Sequence, residues 1–278
     1  MGWNGCPGSG GLVSGREVEI PSRYEGDLYD IVTPSSFRGD VEWYRRQARE
    51  CGSPVLELGA GTGRITLTLA RDGIAVHALD IEPGMLRRLR RKLDDESPEV
   101  RARVTIVEGD MRSFELAERF ALVIAPFRAL LHNLTEAQHL ACFRRVREHL
   151  QPGGRFAFNV FHPSLEFMAQ HAGPLAGVWR LTGTFDREDG SYVTRSDANR
   201  YDTIQRRIHG VNRYDEYGPD GTLRRTSMLR LELSYLYPSD IRRLLQEAGF
   251  RAIEIDGGFD GRPLQHDTDE LVVVAGVD

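Results

Sequence analysis

The feature that most constrains this chain is the segment 55–64, which reads VLELGAGTGR. A short apolar stretch there contains the acid Glu57, three glycines follow at every second position, and a helical pattern begins directly after them. This order predicts a buried strand, a tight turn and a helix N-terminus, where the backbone approaches a ligand closely and the helix end is positively polarised. An acid so close to the glycines favours a cationic ligand over a phosphate.

Strand and helix patterns alternate from Pro54 to Phe161. The predicted strands are Val55–Leu58, Ala75–Asp80, Val104–Glu108, Ala121–Ala125 and Arg155–Phe161. The predicted helices are Ile65–Ala70, Pro83–Leu93 and a third that follows Thr135 and ends at Pro152. Such alternation predicts an α/β fold, in which helices cover both faces of a parallel sheet.

The pattern changes between about Gly177 and Tyr237. Polar residues there alternate with aromatic and β-branched ones, and Asp-Gly pairs mark turns, which predicts an inserted antiparallel sheet. The α/β pattern resumes with a helix over Pro238–Ala248 and strands near Ala252–Asp256 and Glu270–Ala275. We therefore expect a flexible leader over 1–20, an N-terminal cover and core over 21–161, an inserted sheet over 162–237, and a return to the core over 238–278. The insertion is expected to be a lid over a ligand crevice, and a dimerisation element is the alternative.

Composition narrows the class of partner. The chain has 278 residues, a net charge of −5 and three cysteines. The lack of a basic surplus favours a small-molecule partner over nucleic acid. An odd number of cysteines without metal-ligand spacing favours a reduced, cytoplasmic protein with no metal site. No apolar stretch reaches the roughly 18 residues of a membrane span, so no membrane partner is expected, and a homodimer is left open.

Three acids lie at or near the ends of three predicted strands. Glu57 precedes the glycines, Asp80 ends the second strand, and Asp110 follows the third. The carboxyl ends of the strands in a doubly wound sheet line one crevice, where ligands bind. An acid after the second strand can accept hydrogen bonds from ribose hydroxyls, and an acid after the third can accept one from an exocyclic amine.

Five segments together resemble the successive motifs of a known family. VLELGAGTGR, ALDIEPGML, IVEGDMRSF, FALVIAPFRALLHN and LQPGGRFAFNVF are similar, in this order, to the motifs of class I S-adenosylmethionine (SAM)-dependent methyltransferases. The resemblance covers about residues 24–277. It implies a Rossmann-like, doubly wound, seven-stranded sheet with an antiparallel last strand, SAM as the cofactor and S-adenosylhomocysteine as the product.

The resemblance also implies a role for particular residues. The methionine part of SAM is expected near the glycines, the ribose at Asp80, and the adenine amine at Asp110. Arg38 is expected to pair with the cofactor carboxylate, the alternative being a surface charge. The full set of implied cofactor-binding residues is Tyr24, Tyr29, Arg38, Glu57, Gly59, Ala60, Gly61, Arg64, Asp80, Ile81, Met85, Asp110, Met111, Pro126, Phe127 and Arg128.

Two details of the sequence weigh on this interpretation. A dinucleotide fold requires a third glycine where this chain has Arg64, which disfavours a nicotinamide oxidoreductase. Many relatives carry an acid at the start of the fourth strand, where this chain has Ala121. Because of this departure, the chain lacks at that position a carboxylate that could help to position an amine.

Two histidines are the candidate catalytic residues. His132 follows the fourth strand and His162 follows the fifth, and histidine titrates near neutral pH. Each could instead cap a helix or line the pocket. Residues of the insertion that could meet an acceptor are Tyr201, His209, Tyr214, Arg230 and Glu232.

The expected function is methyl transfer from SAM to nitrogen or oxygen of a small molecule, compatible with a natural-product pathway. A SAM-binding protein with non-methylating chemistry or a regulatory role is the alternative.

Overall fold

The structure, a computed structural model, describes residues 24–33, 37, 39–162 and 164–278. The predicted leader over 1–20 and the candidate residue Arg38 lie outside the described residues. Two sheets organise the described part of the chain, one of seven strands and one of four.

The larger sheet is built from strands at both ends of the chain. Its strands are β1 (Val55–Leu58), β2 (Val76–Asp80), β3 (Val104–Glu108), β4 (Phe120–Ala125), β5 (Leu150–Phe161), β10 (Ile253–Asp256) and β11 (Glu270–Gly276). They lie in the order β10-β11-β5-β4-β1-β2-β3. β11 is antiparallel to both of its neighbours, and the remaining pairs are parallel. The expected Rossmann-like sheet with an antiparallel last strand is confirmed.

The helices of the described part of the chain include those that cover both faces of this sheet. They are α1 (Gly26–Val32), α2 (Asp40–Cys51), α3 (Arg64–Arg71), α4 (Pro83–Asp94), α5 (Pro98–Arg101), α6 (Glu136–His149), α7 (Leu165–Ala169) and α8 (Pro238–Glu247), with short 3-10 helices at Ala129–His132 and Gly173–Leu175. α6 and α8 bury Phe143 and Leu244 against Phe156 and Phe158 of β5. α2 and α3 pack on the opposite face. The central strands β1 and β4 therefore bury both of their faces, which explains their nearly continuous apolar runs in the sequence.

The fifth strand begins earlier than the sequence pattern indicates. The prediction placed its start at Arg155, after Pro152-Gly-Gly154, but Leu150 already pairs with Phe120 of β4. The register then shifts between Phe120 and Leu122. The Pro-Gly-Gly segment is thus an irregularity inside the strand, a position where proline and glycine are tolerated at a bulge.

The smaller sheet is inserted between β5 and α8. Its strands are β6 (Arg180–Asp186), β7 (Tyr192–Asp202), β8 (Arg207–Tyr217) and β9 (Leu223–Ser234), antiparallel and in sequence order. α7 and a 3-10 helix precede it, so the first part of the interval 162–237 is helical. The sheet packs Val193, Tyr214 and Leu229 against Leu28 and Val32 of α1.

No helix among the described residues is both long and apolar enough to cross a membrane.

Truncation of a central aromatic side chain tests the packing of β5. Phe158 is fully buried between Phe143 and Phe156. We expect Phe158→Ala to lower the free energy of unfolding by about 3–5 kcal/mol, because it leaves a cavity. Ile204, which is 94% exposed, provides the control, since Ile204→Ala removes no packing. Urea denaturation measures both, and equal effects of the two substitutions would contradict this description of the core.

Candidate active site

The loop between β1 and α3 depends on glycine for its shape. Gly59, Gly61 and Gly63 have φ angles of 69°, 58° and 84°, in the left-handed region that disfavours other residues. A Cβ on Gly59 would lie 2.6 Å from Ala129 Cβ, and one on Gly63 would lie 2.2 Å from Leu89 Cδ1. The sequence pattern alone indicated close approach to a ligand, and the structure adds that neighbouring protein segments require these glycines too.

Asp80, at the end of β2, lies beside this loop. Its carboxylate accepts hydrogen bonds from the Gly61 N–H at 2.7 Å and the Glu82 N–H at 2.8 Å. Burial raises the pKa of Asp80, while these backbone donors lower it. Each carboxylate oxygen keeps capacity to accept another hydrogen bond. The side chain is thus fixed at the strand end. Because a carboxylate accepts hydrogen bonds and donates none, it is suited to the two hydroxyl groups of a ribose.

Glu57 connects β1 to α3. Its side chain is 2% exposed and is hydrogen-bonded to the Thr66 hydroxyl of that helix. Burial raises the pKa of Glu57 to about 8. The expectation that this acid favours a cationic ligand stays a prediction.

Helix α1 is attached to the glycine loop through Asp30. This carboxylate accepts hydrogen bonds from the Thr62 hydroxyl at 2.6 Å, and from Arg88 Nε and Lys92 Nζ of α4 at 2.7 Å each. Burial opposes the charge, but these three donors lower the pKa of Asp30 overall. The segment predicted to cover the cofactor is thereby held against the loop.

Three candidate side chains converge on one crevice. The Tyr24 ring contacts Tyr29 edge-on, with 5.7 Å between centroids, and contacts His132 in the same way at 6.1 Å. His132 is exposed to solvent, yet desolvation of its imidazole by the surrounding protein lowers its pKa. Burial also raises the pKa of Tyr29 to about 12, so its hydroxyl stays protonated.

The backbone after β4 is strained. Phe127 and Arg128 have φ angles of 52° and 67°, a conformation that costs a non-glycine residue about 1–3 kcal/mol and is found mainly at functional sites. The Phe127 N–H donates to Asn159 Oδ1 at 2.9 Å. Arg128 donates to Glu270 through Nε at 3.0 Å and Nη2 at 2.6 Å, and its guanidinium lies 5.2 Å from the Phe161 ring centroid. The side chain of Arg128 thus pairs with β11, and the expectation that this residue flanks the methyl donor stays a prediction.

Arg64, the first residue of α3, pairs with the first residue of α2. It donates to both carboxylate oxygens of Asp40, at 3.0 and 2.6 Å, and Asp40 is fully buried. The guanidinium also lies 5.3 Å from the Phe127 ring centroid. The structure thus brings Arg64 together with the glycine loop and with the segment after β4.

The residues expected around the adenine differ in their exposure and in their polar contacts. Ile81 is 55% exposed at the end of β2. Asp110 pairs with the Arg112 guanidinium, which lowers its pKa, and Met111 Sδ accepts a hydrogen bond from Asn133 at 3.4 Å. Met85 is 5% exposed, so it packs beneath the glycine loop. The remaining two expected residues, Ala60 and Pro126, are buried.

His162 lies at the end of β5, in a different setting from His132. Its ring contacts Tyr237 edge-on at 5.8 Å, and its Nδ1 is buried without a hydrogen-bond partner within the described chain. Its backbone N–H donates to the Asp269 carbonyl at 3.4 Å. No ring contact joins it to Tyr24 or His132 among the described residues.

Sequence reasoning missed Asn159 and Glu270. Asn159 is fully buried, accepts hydrogen bonds from the Tyr44 hydroxyl and the Phe127 N–H at 2.9 Å each, and donates to Glu270 at 2.7 Å. The signal was an amide inside the apolar run FAFNVF, since a buried polar side chain requires partners. Its partner Glu270 is 111 residues away in sequence and could not be identified from the pattern.

No group of three metal-ligating side chains is present among the residues that the structure describes.

Comparisons with known proteins find methyltransferases. Residues 55–154 match a family model described as a methyltransferase domain. The chain is 27% identical to a cypemycin N-terminal methyltransferase from Streptomyces over 259 residues, which cover 91% of this chain and 97% of that protein. It is 23% identical to a dTDP-3-amino-3,4,6-trideoxy-α-D-glucopyranose N,N-dimethyltransferase from Streptomyces venezuelae over 214 residues, 76% of this chain and 81% of that protein.

Among solved structures, the CcbJ methyltransferase from Streptomyces caelestis is similar with a TM-score of 0.73 and 25% identity, covering 92% of this chain and 98% of that one. Similar structures include complexes with SAM and S-adenosylhomocysteine. Residues 55–154 are thus a methyltransferase domain, and the chain is similar to methyltransferases along most of its length. It is a methyl-transferring enzyme whose cofactor is SAM.

Replacement of Asp80 tests the expected ribose contact. We expect Asp80→Ala to raise the Kd for S-adenosylhomocysteine by at least about 10-fold per lost hydrogen bond, since bonds to charged groups contribute about 1.5–3 kcal/mol. Isothermal calorimetry measures this, and circular dichroism checks the fold. The exposed Asp94 provides the control, as Asp94→Asn removes a charge from the far end of α4. Unchanged affinity in Asp80→Ala would refute the contact.

The raised pKa of Glu57 predicts a pH-dependent stability. The folded protein binds this proton more tightly than the unfolded chain, so the stabilisation is full below the ordinary pKa near 4.5 and is lost as the pH rises through about 8. Glu57→Gln mimics the protonated acid. We expect the free energy of unfolding of Glu57→Gln to rise relative to that of the wild type as the pH increases from about 4.5 to about 8, by up to about 1.4 kcal/mol per pH unit.

Urea denaturation at a series of pH values measures this difference. The exposed Glu188→Gln is the control and should show no such trend. A difference between Glu57→Gln and wild type that stays constant with pH would contradict the assignment.

Proposed function

We propose that this enzyme transfers the methyl group of SAM to a nitrogen of a small-molecule amine, with His132 as the general base. When bound, SAM supplies a methyl group on a positively charged sulfur. Tyr24, Tyr29 and Asp30 position α1 over the glycine loop, and Asp80 holds the ribose. The crevice at the carboxyl edge of the sheet thus orients the donor toward the side lined by Tyr24 and His132.

The assignment of nitrogen rests on the relatives that align along most of the chain. The cypemycin enzyme is named for methylation of an N-terminus, and the Streptomyces venezuelae enzyme for dimethylation of a sugar amine. Both names describe methylation of nitrogen, in cypemycin and in a dTDP-linked aminosugar. We extend this class to the present chain and infer a role in natural-product biosynthesis.

The single observation that supports the chemistry is the environment of His132. An amine reaches the enzyme mainly as an ammonium ion and must lose a proton before its lone pair can attack. Burial lowers the pKa of His132, so the imidazole is neutral at pH 7 and can accept that proton. Its position in a crevice that solvent reaches also gives the proton a way out.

A matched pair of acceptors tests the choice of nitrogen. Benzylamine and benzyl alcohol differ only in the nucleophilic atom, and the same comparison can be made with aminosugars and their hydroxy counterparts. We expect S-adenosylhomocysteine to form with amines and not with alcohols, as measured by mass spectrometry. Turnover of alcohols alone would overturn the proposal.

Substitution of His132 tests the base. We expect His132→Gln to lower kcat by about 10²–10⁴-fold, the usual contribution of a general base, without changing the Kd for S-adenosylhomocysteine. The acidic limb of the pH profile should lie below the ordinary histidine value in the wild type and disappear in the variant.

His209→Gln, on the other side of the four-stranded sheet, is the matched control and should behave as the wild type. An unaltered rate and pH profile in His132→Gln would show that His132 is not the general base.

A further inference from the structure

The four-stranded sheet presents one face to α1, and we name it the inner face. Val193, Tyr214 and Leu229 belong to it because they pack against α1. Side chains alternate along each strand, so the register assigns further residues to the same face. The polar residues and glycine among these are Arg195, Asp197, Asn199, Tyr201, Gly210, Asn212 and Ser227, and the apolar ones are Ile208, Leu231 and Leu233. His209, Arg230 and Glu232, also considered as acceptor contacts, lie on the opposite face.

The middle of the inner face is polar, whereas a sheet face packed on a core is normally apolar. Arg195 donates to both oxygens of Asp197, at 2.8 Å each. Asn212 Nδ2 donates to the Tyr214 hydroxyl at 3.3 Å. The ion pair is internally balanced, so this surface carries hydrogen-bonding groups without a net charge.

Part of this hydrogen-bonding capacity is unused. The Asn199 side-chain amide is half-buried and makes no hydrogen bond to any described residue. Gly210 makes room for it, since a Cβ there would lie 2.6 Å from Asn199 Oδ1. Ser227 Oγ is buried without a partner in the described chain. Buried polar groups are normally satisfied, so a ligand or water is expected to complete them.

The four-stranded sheet is held beside the proposed catalytic crevice at two places. At one end, Tyr214 and Ser227 of the inner face line a cleft together with Tyr24 and Tyr29. At the other end, the hydroxyl of Ser234, which lies on the opposite face of β9, donates at 3.3 Å to the carbonyl of Leu131, the neighbour of His132. The polar part of the inner face lies between these two attachments.

We propose that the inner face binds the hydroxyl groups of the acceptor, and that the acceptor is therefore a hydroxyl-bearing amine such as an aminosugar. A hydroxyl both donates and accepts, and this surface offers both an amide and a balanced arginine–carboxylate pair. A phosphate or carboxylate would need an unpaired cation, which the Arg195–Asp197 pair does not supply. This inference rests on the proposed function, because it names the substrate class of that site.

Two variants and a control test the surface. Asn199→Ala removes the free amide, and Gly210→Ala places a methyl group where that amide lies. Arg230→Ala, on the opposite face, is the matched control. The probes are cyclohexylamine, trans-2-aminocyclohexanol and glucosamine, which share a six-membered ring and an amine but differ in hydroxyl number. Calorimetry on enzyme saturated with S-adenosylhomocysteine gives their affinities independently of turnover.

We expect wild-type affinity to rise from cyclohexylamine to glucosamine. Asn199→Ala and Gly210→Ala should each reduce that preference about 3- to 10-fold, the effect of about one hydrogen bond, while Arg230→Ala retains it. All variants should bind S-adenosylhomocysteine equally. Equal affinity for the three amines, absence of binding by all three, or a preference that survives in both inner-face variants would overturn the inference.

The same probes separate this inference from the proposed function. If the hydroxyl preference is present but no amine is methylated, hydroxyl binding by the inner face is supported and the assignment of nitrogen as the acceptor is wrong. If amines are methylated regardless of their hydroxyl groups, methylation of nitrogen is supported and hydroxyl binding by the inner face is wrong.

Discussion

Parallel strands bring their carboxyl ends to one edge of a sheet, and every proposed contact of this enzyme depends on that constraint. β1 lies between β2 and β4. The chain continues from β1 to β2 and β3 on one side of it, and then returns to form β4 on its other side. A crevice opens at such a reversal of strand order. The glycine loop, Asp80 and the strained segment at Phe127 come from three separate strands and meet there.

Buried charged pairs then hold the edge in one geometry. Arg64 and Asp40 fasten α3 to α2, and Arg128 and Glu270 fasten the segment after β4 to β11. Removing one partner of such a pair leaves an unpaired buried charge, which costs far more than the pair contributes. These pairs, together with Asn159, maintain the positive φ angles at Phe127 and Arg128 next to the proposed methyl-transfer position.

The sequence predicted the fold well, and the cofactor-binding and catalytic residues stay predictions. β1 and β3 have the predicted bounds, because each is a short apolar run between clear turn signals. The seven-stranded sheet with an antiparallel last strand came from the family resemblance, since local patterns contain no information about which strands are neighbours. The raised pKa of Glu57 could not be predicted, because it depends on burial in the folded protein. The partner of Arg128 is 142 residues away, so no local pattern could identify it.

A crystal structure of the enzyme with S-adenosylhomocysteine tests most directly whether this edge of the sheet is the cofactor site. The geometry described above predicts both ribose hydroxyls within hydrogen-bond distance of the Asp80 carboxylate. It also predicts that the sulfur faces the part of the crevice lined by Tyr24 and His132. A nucleoside bound elsewhere, or one whose ribose does not reach Asp80, would contradict it.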